Sequence, residues 1–180
     1  YNCGVNEVEG KSFYENCEIA IDYFRTLVDF AKDKGVKIAA YNCRWENFVV
    51  EPNAWRVILS AVPGMGIKYD PSHSIGDGGN YLKEILEFGD RIFHFHLKGT
   101  VEICGEHYDD APAGMDQTDW KTIMDLLYTK NYDGMLSIEP HSRNWFGSKG
   151  QWGIDFTIRY MSQFLIDEKY LAMDIDPYMP

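Results

Sequence analysis

The 180 residues carry 17 Lys and Arg against 28 Asp and Glu, a net charge of −11 with histidine neutral. At 45% hydrophobic and 15% aromatic the chain has ample material for a packed core and is too apolar for disorder. The acidic balance disfavours a nucleic-acid partner, because phosphate backbones are repelled unless a basic groove intervenes, and the sequence has none. No apolar run approaches the roughly 18–20 residues of a membrane helix, so no membrane partner is expected. Cys3, Cys17, Cys43 and Cys104 contain no CxxC pair and read as free or buried thiols. The chain opens at Tyr1 without methionine or leader, so the native start is expected to be missing and localisation stays open.

Residues 11–34 form the first predicted helix. Phe13, Cys17, Ala20, Ile21, Phe24, Leu27, Val28 and Ala31 recur at three- and four-residue steps, and Gly35 stops it. A strand follows at 36–41. A short helix at 54–62 ends at Pro63-Gly64, and a second strand at 66–70 is closed by Pro71. Residues 72–79 read as a glycine-rich loop, 80–88 as a helix and 91–97 as the third strand. A long loop, 99–117, leads into a helix at 118–130. The fourth strand covers 134–139 and the last helix 156–168. Residues 1–168 thus form one domain, and 169–180 a tail.

Strands alternating with helices predict an α/β fold of parallel βαβ units with right-handed crossovers. Two closures fit: a doubly wound open sheet or a (β/α)8 TIM-type barrel. A barrel needs eight strands and roughly 250 residues. Four strands amount to its C-terminal half. The strand at 36–41 would then have a bare edge, which predicts self-association or a missing N-terminal half as its cover.

Polar residues gather where the strands end. Asp70 closes the second strand, with His73 three residues on. His94 and His96 share one face of the third strand, and Lys98 continues that face. Glu139 closes the fourth, with His141 beyond. Ligands of α/β folds bind at this rim. A carboxylate, an imidazole and a second carboxylate suit Mn²⁺, Mg²⁺, Co²⁺ or Zn²⁺. Duller roles exist for each: Asp70 capping a turn, the histidines bonded in the core, Glu139 paired with Lys98.

The segments Tyr69-Asp70-Pro71-Ser72-His73, His94-Phe95-His96-Leu97-Lys98 and Leu136-Ser137-Ile138-Glu139-Pro140 resemble the xylose isomerase-like TIM-barrel superfamily. Within it the chain is most similar to sugar phosphate isomerase/epimerase proteins, including the ketose 3-epimerases, over residues 11–142. The resemblance implies barrel strands five to eight and a divalent metal held by Glu, Asp, His and Glu at their ends. It makes Asp70, His96 and Glu139 the second, third and fourth ligands. It makes His73 a substrate-binding histidine, and Arg44-Trp45-Glu46-Asn47 the segment whose glutamate, Glu46, contacts sugar hydroxyls. Pro112-Ala113-Gly114 and Trp120 resemble the loop and helix start after strand seven. The first glutamate is expected near Ala40 or Tyr41, where the sequence reads Ala39-Ala40-Tyr41-Asn42. Asn42 or Glu46 stands as an alternative donor.

The reading that follows is a metal-dependent isomerase or epimerase of a carbohydrate. Glu139 is the general base removing a proton next to a carbonyl, and the metal is the Lewis acid for the enediolate. His73, His94 and Lys98 bind hydroxyls or developing charge, and Trp45 and Trp152 are candidates to stack on a sugar face. The lack of a basic cluster favours an unphosphorylated sugar. The alternative is a non-catalytic carbohydrate-binding relative lacking the first metal-ligand glutamate. A nuclease of the endonuclease IV type, which draws extra ligands from earlier strands, ranks last.

Overall fold

The computed structural model describes residues 1–167; the expected tail and the last residue of the expected final helix lie outside the described residues. Among the described residues seven strands are formed: β1 (Asn2–Cys3), β2 (Ile38–Tyr41), β3 (Met65–Tyr69), β4 (Ile92–Leu97), β5 (Val101–Ile103), β6 (Glu106–Asp109) and β7 (Met135–Ile138). The helices are α1 (Phe13–Lys32), α2 (Pro52–Ala61), α3 (Pro71–Gly76), α4 (Tyr81–Phe88), α5 (Trp120–Thr129) and α6 (Gly147–Ser162).

Strands β1, β2, β3, β4 and β7 form one parallel sheet in that order. A doubly wound sheet reverses its strand order at a switch point. This sheet never does, so each right-handed crossover returns on the same side. The result is the winding of a barrel, present here as an arc with helices behind it. The arc has five strands rather than the expected four. Asn2 and Cys3 pair with Ala39 and Ala40, and the Ala39 amide donates to the Tyr1 carbonyl at 3.0 Å. The expected bare edge of the strand around residues 36–41 is therefore covered along its middle. Two residues carry no periodicity, which is why β1 escapes a pattern search.

Alternation along the strands sorts the side chains. Ile67, Tyr69, Phe95 and Leu97 are buried toward the helices. Lys68, Asp70, His94 and His96 take the inner, concave face. The β3–β4 register shifts, so that Ile67 pairs with Ile92 but Lys68 with His94. The extra residue, Phe93, joins His94 on the inner side, where both line one cavity. Gly66 is obligatory there, since any Cβ would run into the Phe93 ring.

Three corrections concern the connections. Helix α3 occupies most of the predicted 72–79 loop. Asp70 caps it by accepting from the Ser72 amide at 2.9 Å, and Pro71 supplies the first helical position. The 99–117 loop contains the β5–β6 hairpin. Its two-residue turn, Cys104-Gly105, has φ of 55° and 82°, as a type I′ turn requires. Helix α6 starts at Gly147, well before the expected residue 156. Behind the rim, buried Glu84 of α4 accepts from Tyr69 Oη at 2.7 Å and from Ser74 Oγ at 2.9 Å. That pins α3 and α4 to the strand that carries Asp70.

Candidate metal and active site at the strand ends

Of the seven polar residues expected at the ends of β3, β4 and β7, Asp70, His73, His96, Lys98 and Glu139 lie within contact of one another, and each arrives by a short chain of local causes. Asp70 is fully buried. Its Oδ1 accepts from the Ser72 amide and, at 2.7 Å, from Ser72 Oγ. Its Oδ2 is buried without a well-formed hydrogen bond. Around Oδ2 stand Lys98 Nζ at 3.1 Å, His73 Nε2 at 3.7 Å and His96 Nδ1 at 3.7 Å. The capping role and the site role of Asp70 are thus both real, one per oxygen.

Glu139 follows β7, and its amide donates to the Leu97 carbonyl at 3.3 Å. Its Oε2 accepts from His96 Nδ1 at 3.0 Å and from Lys98 Nζ at 3.2 Å. Its Oε1 lies 3.6 Å from His141 Nε2. With a carboxylate as partner, Nδ1 of His96 carries the proton. The His96 hydrogen bond holds the Glu139 carboxyl far below the ordinary range, against its burial, and the Lys98 charge adds to this. Burial would raise Asp70, but the neighbouring His96 imidazole, the Lys98 charge and His73 outweigh it and hold it low. Burial lowers His73.

A buried carboxylate oxygen is costly unless a cation faces it, and in this structure Lys98 Nζ does so at 3.1 Å. Ligand atoms of Asp70, His73 and Glu139 lie within 4.8 Å of one another. Two carboxylates and an imidazole fit Mn²⁺, Co²⁺ or Zn²⁺. His73, expected to contact substrate, is on this geometry also a candidate cation ligand. His96 faces the same two carboxylates, as a hydrogen-bond donor to one of them.

Other expected residues sit elsewhere. Glu46 is exposed, in a left-handed turn with φ of 49°, and lines neither the rim cavity nor the inner one. Asn42 is not a free oxygen donor. Its Oδ1 accepts from the Asp70 amide and its Nδ2 donates to the Asp70 carbonyl. Tyr41 Oη donates to the Trp45 carbonyl. Strand β2 therefore brings no carboxylate to the cluster. A rim cavity of ≈ 400 Å³ is lined by Trp45, His73, Lys98, His107 and His141 among others. His94 instead faces the inner cavity of ≈ 370 Å³ with Lys68 and His96. Trp45 is 74% exposed on the rim. Trp152 stacks between Trp145 and Phe156 and takes no part in the rim.

Asp116 has no counterpart among the expected residues. Its Oδ1 accepts from the Gly114 amide and Trp120 Nε1, and its Oδ2 from the Thr100 and Thr118 amides. One carboxylate thereby shapes the loop after β4. The only sequence signal is an Asp among glycine and small residues, common to many turns.

Residues 3–161 match the family described as the xylose isomerase-like TIM barrel. The chain belongs to this family. A relative from Bacillus subtilis (strain 168), the uncharacterized protein YfiH, is 28% identical over 148 residues, which are 70% of this chain and 47% of that protein. The D-allulose 3-epimerase of Methylomonas sp. superposes with a TM-score of 0.67 at 20% identity, covering 91% of this chain and 60% of that one. The IOLI protein, solved with a bound zinc atom, gives 0.71 at 19% identity, covering 92% of this chain and 63% of that one. At these identities the structures share the fold. The chain spans about half the length of its curated relative. As a member of the xylose isomerase-like family it presents the strand ends at which that fold binds its ligands. No helix among the described residues is long and apolar enough to cross a membrane.

Proposed function

We propose that this chain carries the metal-binding half of a carbohydrate isomerase or epimerase that works by proton abstraction next to a carbonyl. The observation behind this reading is the convergence of ligand atoms of Asp70, His73 and Glu139 within 4.8 Å of one another, around the buried Oδ2 of Asp70. Asp70 and Glu139, with an imidazole from His96 or His73, would hold the divalent ion. Bound there, the ion supplies Lewis-acid polarisation of a sugar carbonyl.

The chain's own residues do the rest. Glu139 Oε1 lies clear of the His96 and Lys98 contacts made by Oε2, and is the atom that takes the proton. His141, 3.6 Å away, is placed to relay it. Lys98 and His73 meet substrate oxygens from the floor of the rim cavity, and exposed Trp45 offers a flat wall. The rim guanidinium already has a partner: Arg44 Nε is 2.8 Å from Asp77. That pairing supports a neutral, unphosphorylated sugar. Nucleic acid is disfavoured by the net charge of −11.

The missing carboxylate at the end of β2 favours a second reading, a sugar-binding relative without turnover. A panel of ketoses, aldoses and keto-glycosides with Mn²⁺ in deuterated water separates the two. Deuterium entering the carbon next to the carbonyl, and lost in Glu139→Gln, supports catalysis. Thermal stabilisation by a sugar without exchange supports the binding relative. Neither effect across the panel rejects both.

A further inference from the structure

Lys98 continues the inner face of β4 past His96, and its side chain is only 4% exposed. Its ammonium stands 3.1 Å from Asp70 Oδ2, 3.2 Å from Glu139 Oε2 and 3.4 Å from His73 Nε2. These are the residues whose ligand atoms cluster within 4.8 Å. The protein therefore already has a cation of its own in contact with every member of that donor set. A transition-metal ion needs the same atoms at about 2.0–2.2 Å. Two cations sharing three donors at such distances repel each other strongly, in a setting that screens them poorly.

We propose that Lys98 is the resident cation of this site, and that its ammonium and a divalent ion occupy the Asp70–His73–Glu139 donors in alternation. The inference rests on the metal-dependent reading of the site. Space for the displaced side chain exists, because Lys98 also lines the rim cavity. When an ion enters, the ammonium moves from the carboxylates into the space the sugar fills. Cation loading and substrate contact are thereby coupled through one side chain. The lysine also keeps two nearby carboxylates compatible in the metal-free protein, where unneutralised they would repel each other.

The test uses cobalt(II) as probe and the 180-residue chain. Lys98→Met should bind Co²⁺ at least tenfold more tightly than wild type, read from the visible absorption of the coordinated ion. A second measurement needs no variant. In chelator, Lys98 of the wild type should resist reductive methylation by formaldehyde. At saturating Co²⁺ it should react several-fold faster, read by peptide mass. Equal or weaker Co²⁺ binding by a folded Lys98→Met chain overturns the alternation and leaves the metal reading standing. So does Co²⁺ binding to wild type with Lys98 still protected. Absence of Co²⁺ absorption in both proteins overturns the alternation and the metal reading together.

Discussion

Asn42 and Asp70 are clasped by two hydrogen bonds: the Asp70 amide donates to Asn42 Oδ1 at 2.9 Å, and Asn42 Nδ2 donates to the Asp70 carbonyl at 2.8 Å. Asn42 is 1% exposed at the end of β2. The strand end at which the family resemblance expects a metal-binding glutamate supplies a clamp for the next strand instead. It holds the backbone of Asp70 beyond the last ladder pairing, where β3 gives way to α3. The carboxylate is thereby presented by a backbone fixed from both flanking elements.

Asn42→Ala leaves the buried Asp70 amide without a partner, while the Asp70 carbonyl keeps the His73 amide at 3.3 Å. An orphaned buried group costs about 1–3 kcal/mol. The expected loss is about 1–3 kcal/mol in urea unfolding. A loss under about 0.5 kcal/mol would mean that water or a neighbour takes over the bond to the Asp70 amide, and that the clamp has no structural weight.

The two oxygens of Asp70 have separable jobs. Asp70→Asn retains an oxygen for the Ser72 amide and removes the charge facing Lys98, His73 and His96. Asp70→Ala removes both. After purification without chelator, wild type should retain about one divalent ion per chain and both variants almost none. In urea, Asp70→Ala should be about 1 kcal/mol less stable than Asp70→Asn, the usual worth of an N-cap. Full metal content in Asp70→Asn would show that the carboxylate charge is not needed for the ion.

What the sequence made legible follows from periodicity. Helix α1 repeats its apolar residues over twenty positions and opens with a capping box, and β4 alternates histidine with Phe95 and Leu97. Both carry many copies of one signal. Strand β1 has two residues and no repeat, and the β5–β6 turn uses Cys104 in a conformation that asparagine usually takes. Helix α3 was readable in principle from Asp70-Pro71, an N-cap followed by the residue favoured at the first helical position. At the site, strand-end residues were predictable because the pleat fixes their side. Glu46 was not, since its direction depends on a left-handed loop residue. The clasp of Asn42 on Asp70 and the Thr100 amide on Asp116 are long-range contacts, which no local pattern encodes.

Asp116 makes a separate prediction, away from the cation cluster. Four donors from three parts of the chain meet on its carboxylate. Hydrogen bonds to a charged acceptor are worth more than neutral ones. Asp116→Ala should cost about 2–4 kcal/mol and speed amide exchange at Gly114 and Thr118. Unchanged exchange at those two amides would contradict the role assigned to this side chain.

His96 gives the metal-free protein a pH signature. Burial alone would lower its pKa, but the facing Asp70 carboxylate and the hydrogen bond to Glu139 prevail and hold it above the ordinary value. The folded chain therefore binds this proton more tightly than the unfolded chain does. The stability it adds is fully present below the unfolded value of about 6.5, and is lost as pH rises through the raised folded value. Asp70 and Glu139 are both depressed, so their contribution holds above about pH 4 and fails only as pH falls through their folded values. His73, lowered by burial, acts against His96 by disfavouring protonation of the folded state below about pH 6.5. His96→Gln removes one of these opposed contributions. Urea midpoints in chelator should show the advantage of wild type over the variant flat below about pH 6 and shrinking as pH rises above about 6.5. A constant difference across that range would mean that His96 folds without taking up its extra proton.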